Sequence, residues 1–295
     1  MQHRYGFPYG SKPATISPVV RMPSPTLITT VVLIVGLKLL VLWLEPRMAF
    51  FPIRGIQATP EAAGLPYTDV SIPTRDGETL HAWWLEHPAP RAQVIFWHGN
   101  GGNLSLWLEV IVGLRLQGFS VLAVDYRGYG ASTGRPSERG IYRDAEAAVG
   151  EFTRRFRREG TPVIYWGRSL GSPVAASSIS TARPDALVLE SPMPHMRAVL
   201  RANPVLWALS FLSSYRFPTS RFLQDYEGPL LVIHGEIDTI VPFPAGREVF
   251  ANAPTGRKTF VSIPGSDHND LHVVDPGAYW KAVDLFITGL TADRE

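Results

Sequence analysis

The stretch VIYWGRSLGSPVAA, residues 163–176, decides the fold of this chain. An apolar run, VIYW, passes through G-R-S-L-G into a series of small residues. A strand that enters a sharp turn and continues as a helix is typical of a nucleophile elbow, in which a strained turn exposes a serine hydroxyl above the edge of a sheet. The pattern therefore predicts that Ser169 is a nucleophile.

A second G-x-S-x-G sequence, GASTG at residues 130–134, offers Ser132 as the alternative. It follows RGYG instead of an apolar strand, and Pro136 lies two residues beyond it. Gly and Pro residues on both sides of a short segment are typical of a loop. We therefore expect Ser132 to lie in a turn-rich connection and Ser169 to be the reactive serine.

The elbow also predicts where the partners of the nucleophile lie. A serine hydroxyl attacks efficiently at neutral pH only when a base removes its proton. After an elbow of this kind, the acid and then the histidine follow later in the chain, each beyond the end of a strand. Asp238 follows LLVIHG and His268 follows TFVSI, in that order. We predict that His268 is the base and that Asp238 orients and stabilises its imidazole.

Other ionisable residues near strand ends compete for these roles. A carboxylate next to a histidine in the chain is seldom aimed at that histidine's ring, and a histidine that closes an apolar strand is typically structural. A histidine in the segment after His268, and a glutamate at a strand end or close to Asp238, are likewise expected outside the triad. We therefore expect structural or pocket roles for His98, His234, His272, Glu190, Glu236, Asp267 and Asp270.

The predicted reaction also needs donors for the oxyanion. In this arrangement one donor is the backbone N–H of the residue after the nucleophile, and the other comes from the loop after an earlier strand. The first is Leu170, and the loop HGNGGN after AQVIFW offers Asn100. No cofactor or metal is predicted for this chemistry.

Apolar runs alternate with helical patterns along most of the chain. Runs without polar alternation are typical of strands buried on both faces, which requires a parallel sheet covered by helices. Eight strands are predicted, at residues 67–73, 79–86, 92–97, 121–125, 162–167, 186–190, 230–235 and 259–263. Helices are predicted at residues 104–117, 139–159, 170–182, 245–253 and 278–290. We expect one α/β domain over residues 52–295, with a mostly parallel eight-stranded sheet, helices on both faces and a lid insertion at residues 192–228.

The N-terminal region has a different composition. Residues 1–26 contain five Pro and no periodic pattern, which predicts a disordered tail. Residues 27–44 carry a single charge, Lys38, and would span about 27 Å as a helix. This length suffices to cross a bilayer, so we predict an uncleaved single-pass anchor. The flanking positive charges nearly balance and leave both orientations open; of the two, we favour the tail inside the cytoplasm.

Composition excludes several classes of function. The 28 basic residues are offset by 26 acidic ones, for a net charge of +2, and no basic block suggests a nucleic-acid partner. The chain has no Cys, which excludes disulfides, Cys-ligated zinc and a thiol nucleophile.

The motifs together resemble a known family. HGNGGN, DYRGYGASTGRPSERGIYRDAEA, GRSLG, HGEIDTIVP and GSDHND occur in this order over residues 50–290. They resemble the α/β-hydrolase superfamily, and more closely its membrane-anchored branch of protein-depalmitoylating thioesterases and their bacterial relatives. The resemblance implies a hydrolase of esters or thioesters, with Ser169, Asp238 and His268 as its triad and Asn100 and Leu170 at the oxyanion hole. This chain lacks the Cys cluster that anchors those thioesterases and offers a spanning helix instead.

Two other classes of function remain as alternatives. A non-catalytic scaffold with the same fold would retain the motifs without turnover. A dinucleotide-dependent oxidoreductase would use HGNGGN and Asp125, but G-x-G-x-x-G requires Gly where Leu104 stands. Within the lid, VLWALSFL at residues 205–212 is apolar, so we expect it either to cover an acyl pocket, to touch the membrane or to pack on the core.

Overall fold

The computed structural model describes residues 24–201 and 203–292, together with the isolated positions 1, 6 and 10. Most of the predicted tail, residues 1–26, lies outside the described residues. By its internal contacts the chain divides into two compact units, Met1–Leu39 and Leu40–Glu295.

The described residues form ten strands and ten α-helices. The strands are β1 (Phe51–Pro52), β2 (Thr68–Pro73), β3 (Thr79–Leu85), β4 (Ala92–Trp97), β5 (Gly101–Gly102), β6 (Phe119–Val124), β7 (Val163–Arg168), β8 (Ala186–Glu190), β9 (Leu230–Gly235) and β10 (Lys258–Ile263). The helices are α1 (Pro25–Ala49), α2 (Leu108–Leu116), α3 (Glu138–Arg155), α4 (Gly171–Ser178), α5 (Met196–Leu200), α6 (Pro204–Leu209), α7 (Thr219–Phe222), α8 (Phe243–Asn252), α9 (Leu271–Val274) and α10 (Pro276–Ala292).

Eight of the strands form one sheet, in the order β10-β9-β8-β7-β4-β6-β3-β2. The strands from β10 to β6 are parallel, whereas β3 and β2 are added antiparallel at one edge. This arrangement confirms the predicted mostly parallel eight-stranded sheet. The antiparallel pair is the hairpin that the Asp76-Gly77 turn joins, with Gly77 at a φ of 88°.

Two apolar cores cover the faces of the sheet. Side chains of a strand point alternately to opposite faces, so neighbours in β4 belong to different cores. Ile95 and Trp97 pack with buried residues of α3, α4 and α8. Val94 and Phe96 pack with buried residues of α2 and α10. Helices on both faces explain why the central strands are apolar without alternation, as the sequence predicted.

The sheet order determines where a site is able to form. The chain adds strands on both sides of β4, with β6 on one side and β7 on the other. At such a switch point the loops beyond the carboxyl ends of neighbouring strands diverge and leave a crevice. The HGNGGN loop after β4 and the G-R-S-L-G turn after β7 therefore meet at one edge.

A second, two-stranded sheet was not predicted. β1 pairs in parallel with β5, which lies inside the HGNGGN loop. The N–H of Phe51 donates to the carbonyl of Asn100 at 3.1 Å, and the N–H of Ile53 donates to that of Gly102 at 2.9 Å. The short segment after α1 is thus hydrogen-bonded to the loop beside the elbow.

Helix α1 contains the predicted membrane segment, residues 27–44, and continues to Ala49. Its most apolar 18-residue window has a mean hydropathy of 2.5 and no buried residue. By length and composition it is the one helix of the described residues that is able to cross a membrane, and crossing itself stays a prediction. Glu45, near its end, is buried and accepts hydrogen bonds from the N–H and hydroxyl of Ser214, each at 2.5 Å.

Candidate active site

Ser169 occupies a strained turn between β7 and α4. Its φ is 53°, in the left-handed region that non-glycine residues seldom adopt. The N–H of Ser169 donates to the carbonyl of Glu190 at 2.8 Å, and its own carbonyl accepts from Ser172 at 2.9 Å. These bonds hold a backbone conformation that would otherwise be unfavourable, and such strain is typical of functional sites.

Two glycines allow this turn to pack closely. A Cβ at Gly167 would lie 2.3 Å from the carbonyl oxygen of Gly171. A Cβ at Gly171 would lie 2.0 Å from the carbonyl oxygen of Trp97 and 3.0 Å from that of His98. The glycines of G-x-S-x-G are therefore required by backbone contacts, and the elbow lies directly against the end of β4.

The structure brings the three predicted triad side chains together. His268 Nε2 lies 2.9 Å from Ser169 Oγ, and His268 Nδ1 lies 2.8 Å from Asp238 Oδ2. All three residues are buried. Because a carboxylate only accepts hydrogen bonds, Nδ1 carries the proton and Nε2 is free to accept one from the serine hydroxyl.

Asp238 is held as a carboxylate. Its Oδ1 accepts the N–H groups of Ile240 at 2.9 Å and Val241 at 2.7 Å. Burial favours its neutral acid form, but hydrogen bonds from His234 and His268 outweigh this effect and hold the pKa of Asp238 well below its usual range. His234, which the sequence analysis assigned a structural role, therefore also supports the charge of Asp238, from 3.3 Å.

Asp267 joins the loops that carry the acid and the histidine. Its Oδ1 accepts the N–H of Thr239 at 2.8 Å and the N–H of His268 at 2.7 Å. Hydrogen bonds from the backbone of Thr239 and His268 lower the pKa of Asp267. Asp267 thus acts on the backbone of the histidine and not on its ring, in line with the expectation that adjacency does not aim a carboxylate at the neighbouring imidazole.

The two predicted oxyanion donors belong to the two loops that meet at the nucleophile. Asn100 lines the same cavity as Ser169. Leu170 directly precedes α4, and its side chain is buried in the core. The N–H groups at the start of a helix have no acceptor within that helix, which leaves the N–H of Leu170 available for a substrate oxygen.

A cavity of about 390 Å³ opens at Ser169 and His268. Its remaining walls are Gly99, Asn100, Gly101, Leu106, Trp107, Glu109, Val110, Arg168, Ile240, Asn269 and His272. None of these described wall residues belongs to the predicted lid, residues 192–228. Helices α5 and α6 of that segment instead line a separate apolar cavity of about 140 Å³ with the last turns of α1.

Arg168 and Glu190 form a buried pair that the sequence analysis did not identify as a unit. Arg168 Nη1 lies 3.4 Å from Glu190 Oε2, and Arg168 Nη2 donates to the carbonyl of His268 at 3.2 Å. Glu190 also accepts from Trp166 Nε1 at 2.6 Å and from the Tyr279 hydroxyl at 2.5 Å. The pair links the ends of β7 and β8 to the histidine loop. The sequence signal for this pair is a charged residue at the end of each of two apolar strands.

Ser132 lies in the loop between β6 and α3, as the sequence predicted. Its hydroxyl donates to the carbonyl of Asp125 at 2.9 Å and accepts the N–H of His81 at 2.8 Å. Ser132 is buried and both partners are main-chain atoms. The geometry is that of a structural serine.

Comparison with known proteins finds similarity to hydrolases in sequence and in structure. A family model described as serine aminopeptidase, S33, matches residues 88–227. An uncharacterised protein of Mycobacterium tuberculosis (strain CDC 1551 / Oshkosh) is 32% identical over 246 residues, which cover 83% of this chain and 87% of that protein. A lysophosphatidylserine lipase of Danio rerio is 30% identical over 204 residues, or 60% of this chain and 51% of the lipase. An esterase from Pyrococcus furiosus has a similar structure, with a TM-score of 0.69 and 22% identity over 82% of this chain and 98% of the esterase.

Proposed function

The chain belongs to the α/β-hydrolase superfamily, and from this we propose that it is a serine hydrolase that cleaves a carboxylic ester or thioester through an acyl-enzyme. The observation that carries the proposal is the hydrogen-bonded series Ser169 Oγ, His268 Nε2, His268 Nδ1 and Asp238 Oδ2, with distances of 2.9 Å and 2.8 Å. A buried series of this kind is difficult to explain without catalysis.

The reaction follows from the geometry. Ser169 Oγ attacks the acyl carbon while His268 Nε2 takes its proton, and Asp238 stabilises the imidazolium. The oxyanion accepts hydrogen bonds from the N–H groups of Leu170 and Asn100. His268 then gives the proton to the leaving alcohol or thiol. Water, activated by the same His268, attacks the acyl-enzyme and releases the acid.

The substrate we propose is an acyl ester or thioester, including lipids. The side chains of Leu106, Trp107, Val110 and Ile240 give the cavity an apolar wall, as an acyl chain requires. The lipase of Danio rerio supports an acyl lipid. The resemblance to depalmitoylating thioesterases supports a thioester.

Peptide hydrolysis is the second candidate. It is favoured by the match to the family model of serine aminopeptidases. The matched residues, 88–227, include Ser169 but end before Asp238 and His268. The match therefore supports the elbow and leaves the choice between ester and amide to experiment.

We further propose that the protein is a single-pass membrane protein, with residues 27–44 as the spanning segment. The hydrolase domain would then occupy residues 52–295 and include the lid at residues 192–228. The length of α1, its mean hydropathy of 2.5 and the absence of burial in its apolar window support the anchor.

Covalent labelling by a fluorophosphonate tests the catalytic assignment. We expect labelling of the wild type and of Ser132→Ala, and no labelling of Ser169→Ala. A wild type that stays unlabelled would support the non-catalytic scaffold. Loss of labelling in a folded Ser132→Ala variant would contradict the choice of nucleophile.

A series of substrates tests the specificity. We expect p-nitrophenyl esters to be hydrolysed faster at octanoate than at acetate, and aminoacyl p-nitroanilides to react slowly. A rate that is highest for acetate and collapses by octanoate would contradict the acyl pocket. Faster turnover of the anilides would favour the peptidase. Octanoyl thioesters, measured beside the oxygen esters, distinguish the two leaving groups.

A further inference from the structure

The end of α1 lies next to the wall of the Ser169 cavity. The helix ends at Ala49, and β1 begins two residues later at Phe51. Phe51 lies opposite Gly101 in the parallel pair of β1 and β5, and Gly101 lines the cavity. Neighbouring strands are about 4.8 Å apart. Phe51 therefore lies two residues beyond the end of α1 and one strand spacing from Gly101 in the cavity wall.

Four exposed apolar side chains lie either on the segment that follows α1 or in the wall of the cavity. Phe51 is 54% exposed and Ile53 48%. Leu106, 64% exposed, and Ile240, 51% exposed, line the cavity itself. Leu106 also packs on Gly102, the residue whose carbonyl accepts the N–H of Ile53. We call Phe51, Ile53, Leu106 and Ile240 the apolar rim.

The rim is fixed to the loop beside the nucleophile. The buried side chain of Asn103 donates from Nδ2 to the carbonyl of Ile53 at 3.2 Å, to that of Gly55 at 2.6 Å and to Gln57 Oε1 at 2.8 Å. Arg54 adds a bond to the carbonyl of Ser132 at 2.8 Å. These bonds hold the segment after α1, which carries Phe51 and Ile53, against the HGNGGN loop.

We propose that the apolar rim rests in the surface of the bilayer that α1 crosses, and that acyl substrates reach Ser169 from that bilayer. The proposal rests on the proposed hydrolase activity and on the proposed anchor. Single exposed apolar residues are common, but a group of them beside one site is typical of an interaction surface. The covalent link to α1 keeps a bilayer within reach of the rim, whereas a soluble partner would have to bind from dilute solution. Apolar side chains at a bilayer surface are stabilised by leaving water.

Site-specific labelling tests the contact without relying on catalysis. The chain has no Cys, so Ile53→Cys gives a single site for an environment-sensitive nitrobenzoxadiazole label. The control is Leu116→Cys, which is 69% exposed at the end of α2, shortly before β6 begins and thus at the opposite edge of the sheet. With the full chain in phosphatidylcholine–phosphatidylglycerol vesicles, we expect a blue-shifted emission that doxyl lipids quench at position 53 and not at position 116.

Two results would overturn the proposal. In the first, the label at position 53 is as accessible to aqueous iodide as the label at position 116. In the second, emission at position 53 is blue-shifted without quenching by doxyl lipids, which would indicate that a protein partner or a second copy of the chain covers the rim.

Activity of rim variants tests substrate entry. Phe51 and Ile53 do not line the cavity, and serine at both positions keeps their main-chain hydrogen bonds. For Phe51→Ser combined with Ile53→Ser, we expect unchanged hydrolysis of dissolved p-nitrophenyl acetate and about tenfold slower hydrolysis of a vesicle-embedded acyl ester. The matched control is Leu116→Ser combined with Leu285→Ser, both exposed, which should change neither rate.

The outcomes separate the two proposals. An equal loss in both assays, or no loss in either, would contradict substrate entry across the rim. A wild type that hydrolyses neither ester would contradict the proposed function, while the labelling result would still decide whether the rim meets lipid.

Discussion

Replacing Gly171 by Ala places a methyl group where the elbow meets the end of β4. The added Cβ would lie 2.0 Å from the carbonyl oxygen of Trp97, whereas ordinary contacts begin at 3.4 Å. The elbow and β4 would therefore have to separate by about 1.4 Å. The atoms in contact belong to the backbone, so no side-chain rotation relieves the clash.

The expected loss of activity follows from this displacement. A shift of about 1 Å in a reacting group costs about 10²-fold in rate. We expect kcat of Gly171→Ala to fall by about that factor. Stability reflects two opposing effects, because Ala favours helices over Gly by about 1 kcal/mol while overpacking costs about 1–3 kcal/mol. Since the clash involves backbone, we expect the overpacking cost to be about 3 kcal/mol, the upper end of its range, so that the free energy of unfolding falls by about 2 kcal/mol.

Gly150→Ala is the matched control, because Gly150 lies exposed in α3 with no atom within 4 Å of an added Cβ. It should keep wild-type kcat and gain about 0.5–1 kcal/mol of stability. Ester hydrolysis gives kcat and KM, and urea unfolding followed by circular dichroism gives the free energy. A Gly171→Ala variant with wild-type kcat would refute the conclusion that close backbone contact holds the nucleophile in place.

Three further predictions concern single side chains. Asp238→Asn should lower kcat for ester hydrolysis by about 10⁴-fold with little change in KM, because the imidazolium loses its counter-charge; a loss below tenfold would contradict the role of the acid. Ser132→Ala should lower the free energy of unfolding by about 1–3 kcal/mol, because the N–H of His81 loses its acceptor, and leave kcat within about twofold; a proportionate loss of kcat would count against a structural role. Burial opposes protonation of His81, but hydrogen bonds to Asp125 and Asp69 outweigh it and raise the pKa of His81 above 6.5. The stabilisation by His81 is therefore complete below about pH 6.5 and lost as pH rises through the folded-state pKa. In urea unfolding, the free energy of unfolding of His81→Gln should lie further below that of the wild type at pH 5.5 than at pH 9. A difference between the two proteins that does not change with pH would contradict this.

The sequence was sufficient to predict the sheet and to indicate three side chains that the structure brings within hydrogen-bonding distance, because both depend on local patterns. Buried parallel strands are continuous apolar runs, and the elbow is a strand, a constrained turn and a helix within a few residues. Once Ser169 was chosen, the order of strands indicated Asp238 and His268. Ser132 lies in the same G-x-S-x-G pattern as Ser169, and only the residues around the pattern distinguish the two.

The features that sequence analysis did not predict depend on main-chain contacts between distant segments. The pairing of β1 with β5 uses N–H and carbonyl groups, so no side-chain pattern marks it. Helix α2 was predicted from residue 104 but begins at Leu108, because residues 104–107 form turns, in which the N–H of Trp107 donates to the carbonyl of Leu104 at 3.2 Å. The supporting role of Asp267 also acts on backbone N–H groups and carries no spacing signal.

If α1 anchors the chain as proposed, the strand that follows it would link release from the membrane to loss of the proposed activity. A protease that cuts after Gln57 would release a fragment that still contains Ser169, Asp238 and His268. That fragment would lack the N–H groups that donate to the Asn100 and Gly102 carbonyls, and all three acceptors of the Asn103 amide. We expect such shed protein to be nearly inactive, and a fragment that begins at residue 46 to keep its turnover of soluble esters. Equal activity of the two fragments would show that shedding leaves the enzyme intact.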